Sequence, residues 1–193
     1  MVNESDQLGS SSGNQSNAST GVRSSDQFDL RFGGVQRLYG KAGVEKLRAA
    51  HVCVVGIGGV GSWAAEALAR TAIGEITLID LDDICTTNTN RQVHALTSTV
   101  GRLKVEVMAE RILQINPDCK VNAIDDFYSS DNPGDYINKS MNWVVDAIDS
   151  ASTKAALIAY CRSNKVRVIA TGAAGGLTDP TRLQVMDLSR TPN

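Results

Sequence analysis

Four glycines lie within six residues of one another in the first third of the chain, in the order Gly-Ile-Gly-Gly-Val-Gly. An apolar run at residues 51–55 precedes them, and an alanine-rich stretch at 61–71 follows. Glycines let the backbone approach a phosphate group closely, and the first turn of a helix adds unpaired N–H groups and a positive dipole end. The pattern predicts a phosphate-binding turn between a strand and a helix, although a tight turn without a ligand has the same spacing. The candidate binding residues are Gly56, Gly58, Gly59 and Gly61.

An acidic residue, Asp80, ends the next apolar run, at 75–80. A carboxylate about 20 residues after such a turn is placed to hydrogen-bond a ribose hydroxyl. The glycine turn and Asp80 together fit an NAD-dependent dehydrogenase as well as an ATP-using enzyme. Both hypotheses remain open on these residues alone.

The segments that follow resemble the ubiquitin-activating-like adenylating enzymes, which include the activators of molybdopterin and thiamine biosynthesis. Residues 80–92 read D-L-D-D-I-C-T-T-N-T-N-R-Q, residues 100–104 read V-G-R-L-K, and residues 144–150 read V-V-D-A-I-D-S. The corresponding family motifs are D-x-D-x-x-x-x-x-N-x-x-R-Q, V-G-x-x-K and D-x-x-D. They occur in the family's order between about residues 32 and 187.

This resemblance implies a carboxylate-adenylating enzyme that uses ATP and Mg²⁺. Formation of an acyl-adenylate places negative charge on the α-phosphate and on pyrophosphate, which preorganised cations and magnesium stabilise. The resemblance implies that Gly59 contacts the phosphates and that Asp80 holds the ribose. It assigns Arg91, Lys104 and Asp149 as catalytic, with Asp149 as the magnesium ligand. The remaining nucleotide-site candidates are Asp82, Asn88 and Ser150, with Asp82 in a supporting position.

Simpler roles exist for these residues. Arg91 and Lys104 could be ordinary solvated surface charges, and Asp149 could be a helix N-cap. Ser150 and Ser152 are alternative caps for the same helix. His51 and His94 are expected to pack or to lie on the surface, and among the cysteines only Cys85 is a candidate reactive thiol.

Two further segments resemble the tRNA threonylcarbamoyladenosine dehydratase branch of the family. They are residues 31–40, R-F-G-G-V-Q-R-L-Y-G, and residues 172–181, G-A-A-G-G-L-T-D-P-T. That branch implies a tRNA carrying threonylcarbamoyladenosine as the partner, activation of its carboxylate by ATP, and ring closure that expels AMP. The glycine-rich loop at 172–176 would then receive the substrate.

The resemblance also implies a homodimer. Relatives that act on ubiquitin-like proteins supply an arginine across the dimer at the position of Gly34, and Arg31 or Arg37 is a candidate substitute. An activator of a small sulfur-carrier protein and an inactive nucleotide-binding dimer partner are the alternative functions, and a sulfur-transfer protein is a possible partner.

Composition places these motifs in a single α/β domain. The chain has 193 residues, of which 42% are apolar, and a formal net charge of −2, so it carries no overall basic bias toward nucleic acid. Four separated cysteines without a C-x-x-C pair, and no apolar run of membrane-spanning length, indicate a cytoplasmic protein. Residues 1–26 are polar and predicted to be disordered. Residues 27–193 form the predicted adenylation domain, which we expect to be truncated at its C-terminal end relative to the family.

Strands and helices are predicted to alternate, which favours a Rossmann-like, mainly parallel sheet with helices on both faces. We expect strands at 51–55, 75–80, 120–124, 141–147 and 166–171, with a possible sixth at 182–186. We expect helices at 40–50, 61–71, 89–96, 100–115 and 152–163.

Overall fold

In the computed structural model, residues 24–129, 131–173, 175–176 and 178–190 are described. Strands and helices alternate along the chain, as the sequence predicts. The strands are β1 (His51–Val55), β2 (Glu75–Ile79), β3 (Lys120–Ile124), β4 (Trp143–Asp146) and β5 (Val168–Ala170). The helices are α1 (Ser24–Arg48), α2 (Gly61–Arg70), α3 (Lys104–Ile115), α4 (Pro133–Tyr136) and α5 (Ala151–Ser163).

The five strands form one parallel sheet in the order β3-β2-β1-β4-β5. The chain moves outward from β1 through β2 to β3 and then returns to the other side of β1 to form β4. Val55, the last residue of β1, is in register with Ile79 on one side and Asp146 on the other. The carboxyl ends of the three central strands therefore meet at one edge, where the strand order reverses. Open α/β sheets bind their ligands at this kind of crevice.

Helices cover both faces of the sheet, which confirms the predicted fold class. On one face, α2 and α3 pack against β1 and β2 through a cluster that includes Ala65, Ala69, Met108, Ile112, Val54 and Leu78. On the other face, α5 packs on β1 and β4 through a cluster that includes Leu157, Cys161, Cys53 and Val144. These side chains are nearly all inaccessible to solvent, so the sheet is a rigid platform for the loops at its edges. No helix in the described part of the chain is long and apolar enough to cross a membrane.

The first helix is longer than the predicted one at 40–50. It begins at Ser24, three residues inside the segment predicted to be disordered, and is kinked at Gly40, where φ is 72°. Phe28 and Phe32 are buried against Val44 and Ala72, which explains why the helix extends toward the N-terminus. Residues 1–23 lie outside the described residues.

Three other element predictions are wrong. The helix predicted at 89–96 is a short 3₁₀ helix, Thr86–Asn88, followed by turns. The helix predicted from Val100 begins at Lys104, because Gly101 has a φ of 85° and Leu103 is extended and bridges to Asp83. The possible sixth strand at 182–186 has no strand partner among the described residues: Val185 is 97% exposed and a 3₁₀ turn, Pro180–Arg182, precedes it. A β-favouring sequence does not form a strand without a neighbour to pair with.

Candidate functional site

The turn between β1 and α2 is closed so tightly that two of its glycines cannot carry a side chain. Gly56 has a φ of 87°, and a Cβ added to it would lie 2.8 Å from the carbonyl oxygen of Ala147. A Cβ on Gly61 would lie 1.7 Å from the carbonyl oxygen of Gly56. The turn therefore folds back on itself and against the loop after β4. This brings the amino end of α2 to the carboxyl edge of the sheet, where its free N–H groups can face an anion.

Asp80 fixes this turn to the end of β2. Its carboxylate accepts hydrogen bonds from the backbone N–H of Ile57, at 2.6 Å, and of Asp82, at 2.9 Å, one on each oxygen. Each carboxylate oxygen has a second lone pair, so Asp80 can hold the turn and still accept a hydroxyl. The predicted contact with a ribose remains a prediction.

Lys104, the first residue of α3, joins the same group. Its side chain is only 6% exposed, and its Nζ lies 2.5 Å from Asp82 Oδ2 and 3.6 Å from Asp80 Oδ1. The simpler interpretation of Lys104 as a solvated surface charge is therefore wrong. Asp82 pairs with Lys104, and its supporting position in the nucleotide site remains a prediction.

Arg91 lies directly over the glycine turn. A Cβ on Gly59 would come within 3.3 Å of Arg91 Cδ, so the aliphatic part of the arginine occupies the space that the glycine leaves. The Nη1 group donates to the carbonyl oxygen of Thr87 and to Asn90 Oδ1, both at 3.0 Å. The residue is nevertheless exposed, so its remaining donors are accessible to a ligand on the turn.

Asn88 shapes the loop that carries Arg91. It is buried, its side-chain oxygen accepts a hydrogen bond from the N–H of Cys85 at 2.9 Å, and its carbonyl oxygen accepts from Gln92. The structure thus gives Asn88 a role in loop conformation, while its predicted contact with a triphosphate remains a prediction.

In the loop after β4, the structure shows which residue caps α5, a choice between Asp149 and Ser150 that the sequence left open. Ser150 is the N-cap of α5 and accepts a hydrogen bond from the N–H of Thr153 at 3.5 Å. Asp149 is exposed and makes no hydrogen bond or ion pair with the described residues, so it does not cap the helix. Asp149 thus presents a free carboxylate at the carboxyl edge of the sheet.

The chemistry of Asp149 fits a magnesium ion that is bound mainly by a ligand. Mg²⁺ usually takes one or two protein carboxylates and completes its shell with water and phosphate oxygens. Within residues 24–190, leaving out the gaps stated above, no group of three or more His, Cys, Asp or Glu side chains could hold a metal by itself. Any magnesium bound through Asp149 would therefore depend on phosphate oxygens.

Several contacts at this edge were not predicted from the sequence, although Asp146 is the first acidic residue of the D-x-x-D motif. Asp146 is fully buried, with Oδ1 accepting from the N–H of Ile148 at 3.1 Å and Oδ2 lying 2.9 Å from Lys154 Nζ. The Trp63 indole N–H donates to the carbonyl oxygen of Arg91 at 3.0 Å. Trp63 is far in sequence from Arg91, and Lys154 reaches back from α5 to Asp146 at the end of β4, so only the fold reveals these pairs.

His94 is buried, as expected of a packing residue, and burial lowers its pKa to about 4. It is neutral at pH 7 and adds no charge beside Lys104. Cys85 is exposed, whereas the other three cysteines are buried.

Arg31 and Arg37 do not join this site within one chain. Arg31 donates to the carbonyl oxygen of Ile115, at the end of α3 opposite Lys104, over 3.5 Å. The Arg37 guanidinium lies beside Gly34, where a Cβ would be 3.8 Å from Nη2. A contribution across a dimer remains a prediction for both.

Comparison with known proteins decides the family. Residues 34–191 match the ThiF family. The chain belongs to the ThiF family. This confirms the resemblance drawn from the Asp80–Gln92, Val100–Lys104 and Val144–Ser150 segments, and it makes a dehydrogenase the wrong alternative.

The ThiF-family relatives are similar over most of this chain but are longer. This chain is 61% identical over 167 residues to the tRNA threonylcarbamoyladenosine dehydratase of Escherichia coli (strain K12), and the match covers 86% of this chain and 62% of the relative. This chain is 59% identical over 166 residues to the enzyme of the same name from Haemophilus influenzae, and the match covers 86% of this chain and 64% of the relative. The chain thus spans less than two thirds of these relatives. A solved structure of E. coli TcdA in complex with ATP superposes with a TM-score of 0.84 at 61% identity, covering 86% of this chain and 68% of that one.

Proposed function

We propose that this chain uses ATP to adenylate the carboxylate of threonylcarbamoyladenosine in tRNA, and that the adenylate then cyclises with loss of AMP. One observation carries the proposal: Asp80 and Lys104 meet at a glycine turn that Arg91 covers. This arrangement occurs in a chain 61% identical to a dehydratase whose structure holds ATP.

The binding step follows from the turn. The phosphates lie against Gly56, Gly58, Gly59 and Gly61 at the amino end of α2, and the ribose hydroxyls reach Asp80. Arg91 extends over the same turn at Gly59. Because its stem already packs on Gly59, little side-chain entropy remains to be lost when its guanidinium engages a phosphate.

The first chemical step is attack of a substrate carboxylate oxygen on the α-phosphorus of ATP. The bond to the β-phosphate breaks, and pyrophosphate leaves with its electron pair. Negative charge grows on the α-phosphate and the leaving group, and the positioned cations of Arg91 and Lys104 stabilise it. Asp82 and Asp80 hold Lys104 at the start of α3, so its charge is positioned before the nucleotide arrives.

The second step is intramolecular. A nucleophilic atom of the threonylcarbamoyl group attacks the activated carbonyl carbon, the bond to the AMP oxygen breaks, and AMP leaves as the ring closes. The substrate loses the elements of water, which are taken up in converting ATP to AMP and pyrophosphate. Ring closure is favoured because both reacting groups are tethered.

Asp149 is the proposed magnesium ligand. When bound, Mg²⁺ would neutralise phosphate charge; the part played by this chain is to present one unpaired carboxylate beside the loop that Asp146 and Ser150 hold in place. The loop at 172–176, which is exposed at its described residues 172, 173, 175 and 176, is the proposed contact for the substrate carboxylate. A homodimer, a cytoplasmic location and a sulfur-transfer protein as a further partner belong to the same proposal.

The alternative activity within the family is adenylation of the C-terminal carboxylate of a small sulfur-carrier protein. The nucleotide side of the site serves both reactions equally, since each begins with a carboxylate attacking the α-phosphate. An inactive nucleotide-binding dimer partner would bind ATP in the same place without chemistry.

The substrate dependence of AMP formation distinguishes these functions. The chain is incubated with ATP, Mg²⁺ and either tRNA carrying threonylcarbamoyladenosine, unmodified tRNA or a sulfur-carrier protein ending in Gly-Gly. We expect AMP only with the modified tRNA, together with a product lighter by one water. AMP that requires the carrier protein would support the alternative, and nucleotide binding without AMP under every condition would support the inactive partner.

A further inference from the structure

A second polar cleft opens at the opposite edge of the sheet from the glycine turn. It has a volume of about 420 Å³ and is lined by Arg31, Phe32, Arg70, Arg111, Gln114 and Ile115. Helices that connect parallel strands run against the strand direction, so the last turns of α2 and α3 lie at the amino ends of the strands. The cleft is therefore separated from Lys104 by the length of α3, roughly 18 Å for a helix of 12 residues.

Two of its arginines are held by one buried carboxylate. The Glu66 side chain is 7% exposed, and it accepts from Arg70 Nε at 2.8 Å and from Arg111 Nε at 2.5 Å. The Nη2 groups of both arginines also lie within 3.1 Å of Glu66 Oε1. Burial favours a higher pKa for Glu66, but the hydrogen bonds from Arg111 and Arg70 outweigh burial and lower the pKa, so the carboxylate is ionised.

The cleft carries excess positive charge. Glu66 neutralises one of its two guanidinium partners, and Arg31 adds a third cation whose only side-chain hydrogen bond in the described chain is the 3.5 Å contact with the carbonyl oxygen of Ile115. The Nη1 groups of Arg70 and Arg111 make no hydrogen bond with the described residues and remain as donors. Because Glu66 fixes both side chains, these donors are preorganised for phosphate oxygens. In a chain whose net charge is −2, this cluster gives one face a locally opposite sign.

We propose that this cleft binds phosphate groups of an RNA backbone, outside the adenylation site. The inference rests on the proposed function, since a tRNA whose modified base lies at the carboxyl edge is a polyanion able to reach the amino edge as well. Contacts of this kind position a nucleic acid without reading its bases. The open shape of the cleft, formed along α1, α2 and α3, suits a continuous backbone better than an enclosed small anion.

Binding of tRNA to arginine variants tests the cleft. Arg31→Gln and Arg70→Gln each remove one exposed guanidinium and leave Glu66 paired with Arg111. Arg162→Gln is the matched control, because it removes the same charge from the end of α5 on the other face of the sheet. Titration of the chain against labelled tRNA at several salt concentrations gives the affinity and its salt slope, and thermal unfolding checks each variant.

Each cleft variant is expected to bind tRNA about threefold more weakly, and the double variant about tenfold. The slope of log K against log salt should fall by about one for each arginine removed, while Arg162→Gln binds like the parent. Unchanged tRNA affinity in the folded double variant would overturn the inference. A loss of pyrophosphate binding without a change in tRNA affinity would also overturn it, because the cleft would then serve free anions.

A small substrate separates this inference from the proposed function. The free threonylcarbamoyladenosine nucleoside is too short to reach the cleft, so AMP formed from it should be the same in Arg70→Gln as in the parent. If the nucleoside supports AMP formation but tRNA affinity does not depend on the arginines, only the cleft assignment fails. If tRNA affinity depends on the arginines but no substrate yields AMP, only the proposed adenylation fails.

Discussion

Two glycine-rich segments follow strands of the same sheet, but only one of them is constrained by its surroundings. In the turn after β1, side chains on Gly56 and Gly61 would overlap backbone atoms of Ala147 and Gly56. After β5, a Cβ on Gly172 or Gly175 would meet nothing within 4 Å. Similar composition therefore has different causes. The first segment needs glycine to close the turn against its neighbours, whereas no neighbouring atom requires glycine at 172 or 175, and Gly176 is constrained only by its own φ of 76°.

Substituting one glycine in each segment tests this contrast most strongly. Gly61→Ala should lower the free energy of unfolding by at least about 3 kcal/mol and abolish ATP binding, because the backbone must shift to accommodate the methyl group. Gly175→Ala should change stability by less than about 0.5 kcal/mol. Urea denaturation and nucleotide titration measure both. Equal effects of the two substitutions would remove the distinction between the segments.

The cations over the constrained turn provide the next largest effect. Arg91→Ala and Lys104→Ala should each reduce AMP formation by about 10²- to 10³-fold, measured under saturating ATP. Arg102→Ala is the control, since Arg102 is a nearby exposed arginine that pairs with Glu110.

The two variants should differ in stability. Arg91 is exposed, so its loss should cost less than about 1 kcal/mol. The loss of Lys104 leaves Asp80 without its buried cation and should cost about 1–3 kcal/mol. Normal AMP formation in either variant would exclude that side chain from the chemistry.

The contrast also explains which parts of the fold follow from the sequence. The central strands are largely apolar runs that a sheet covered on both faces can bury, so their positions along the chain were predictable. The helix start at Lys104 was not, because it depends on the left-handed Gly101 and on Leu103 pairing with Asp83. The strand expected at 182–186 failed because local β propensity does not provide a neighbouring strand.

Part of the candidate site was predictable because its residues occur in short sequence motifs. Gly59, Asp80 and Arg91 belong to short motifs whose spacing is set by the fold, and the structure brings them together. Ion pairs between distant residues, such as Arg111 with Glu66, follow from helix packing rather than from a motif. The sequence also could not distinguish Asp149 from Ser150 as the cap of α5, because both residue types favour that position.

The loop after β4 contacts the constrained turn through Ala147 but leaves Asp149 exposed. Substitution of Asp149 tests whether this loop contributes a magnesium ligand. Asp149→Ala should raise the Mg²⁺ concentration needed for half-maximal AMP formation by roughly tenfold or more, since magnesium retains few direct protein ligands. Asp118→Ala removes an exposed carboxylate at the opposite edge of the sheet and should leave the titration unchanged. A magnesium titration of Asp149→Ala that matches the parent would show that another group holds the metal.

The smallest effect on activity is expected at Asp80, whose carboxylate holds the glycine turn and is also the predicted contact of the ribose. Asp80→Asn keeps the size of the side chain and one oxygen acceptor, so the hydrogen bond from the N–H of Ile57 can persist. It loses the charge that faces Lys104 and one of the acceptors available to a hydroxyl. Because these contacts hold the nucleotide equally before and during the reaction, KM for ATP should rise by about tenfold with little change in kcat. Steady-state kinetics separate the two parameters. A fall in kcat at an unchanged KM would mean that Asp80 acts on the reacting phosphate through Lys104. The constrained turn and its partners would then contribute to catalysis as well as to ATP binding.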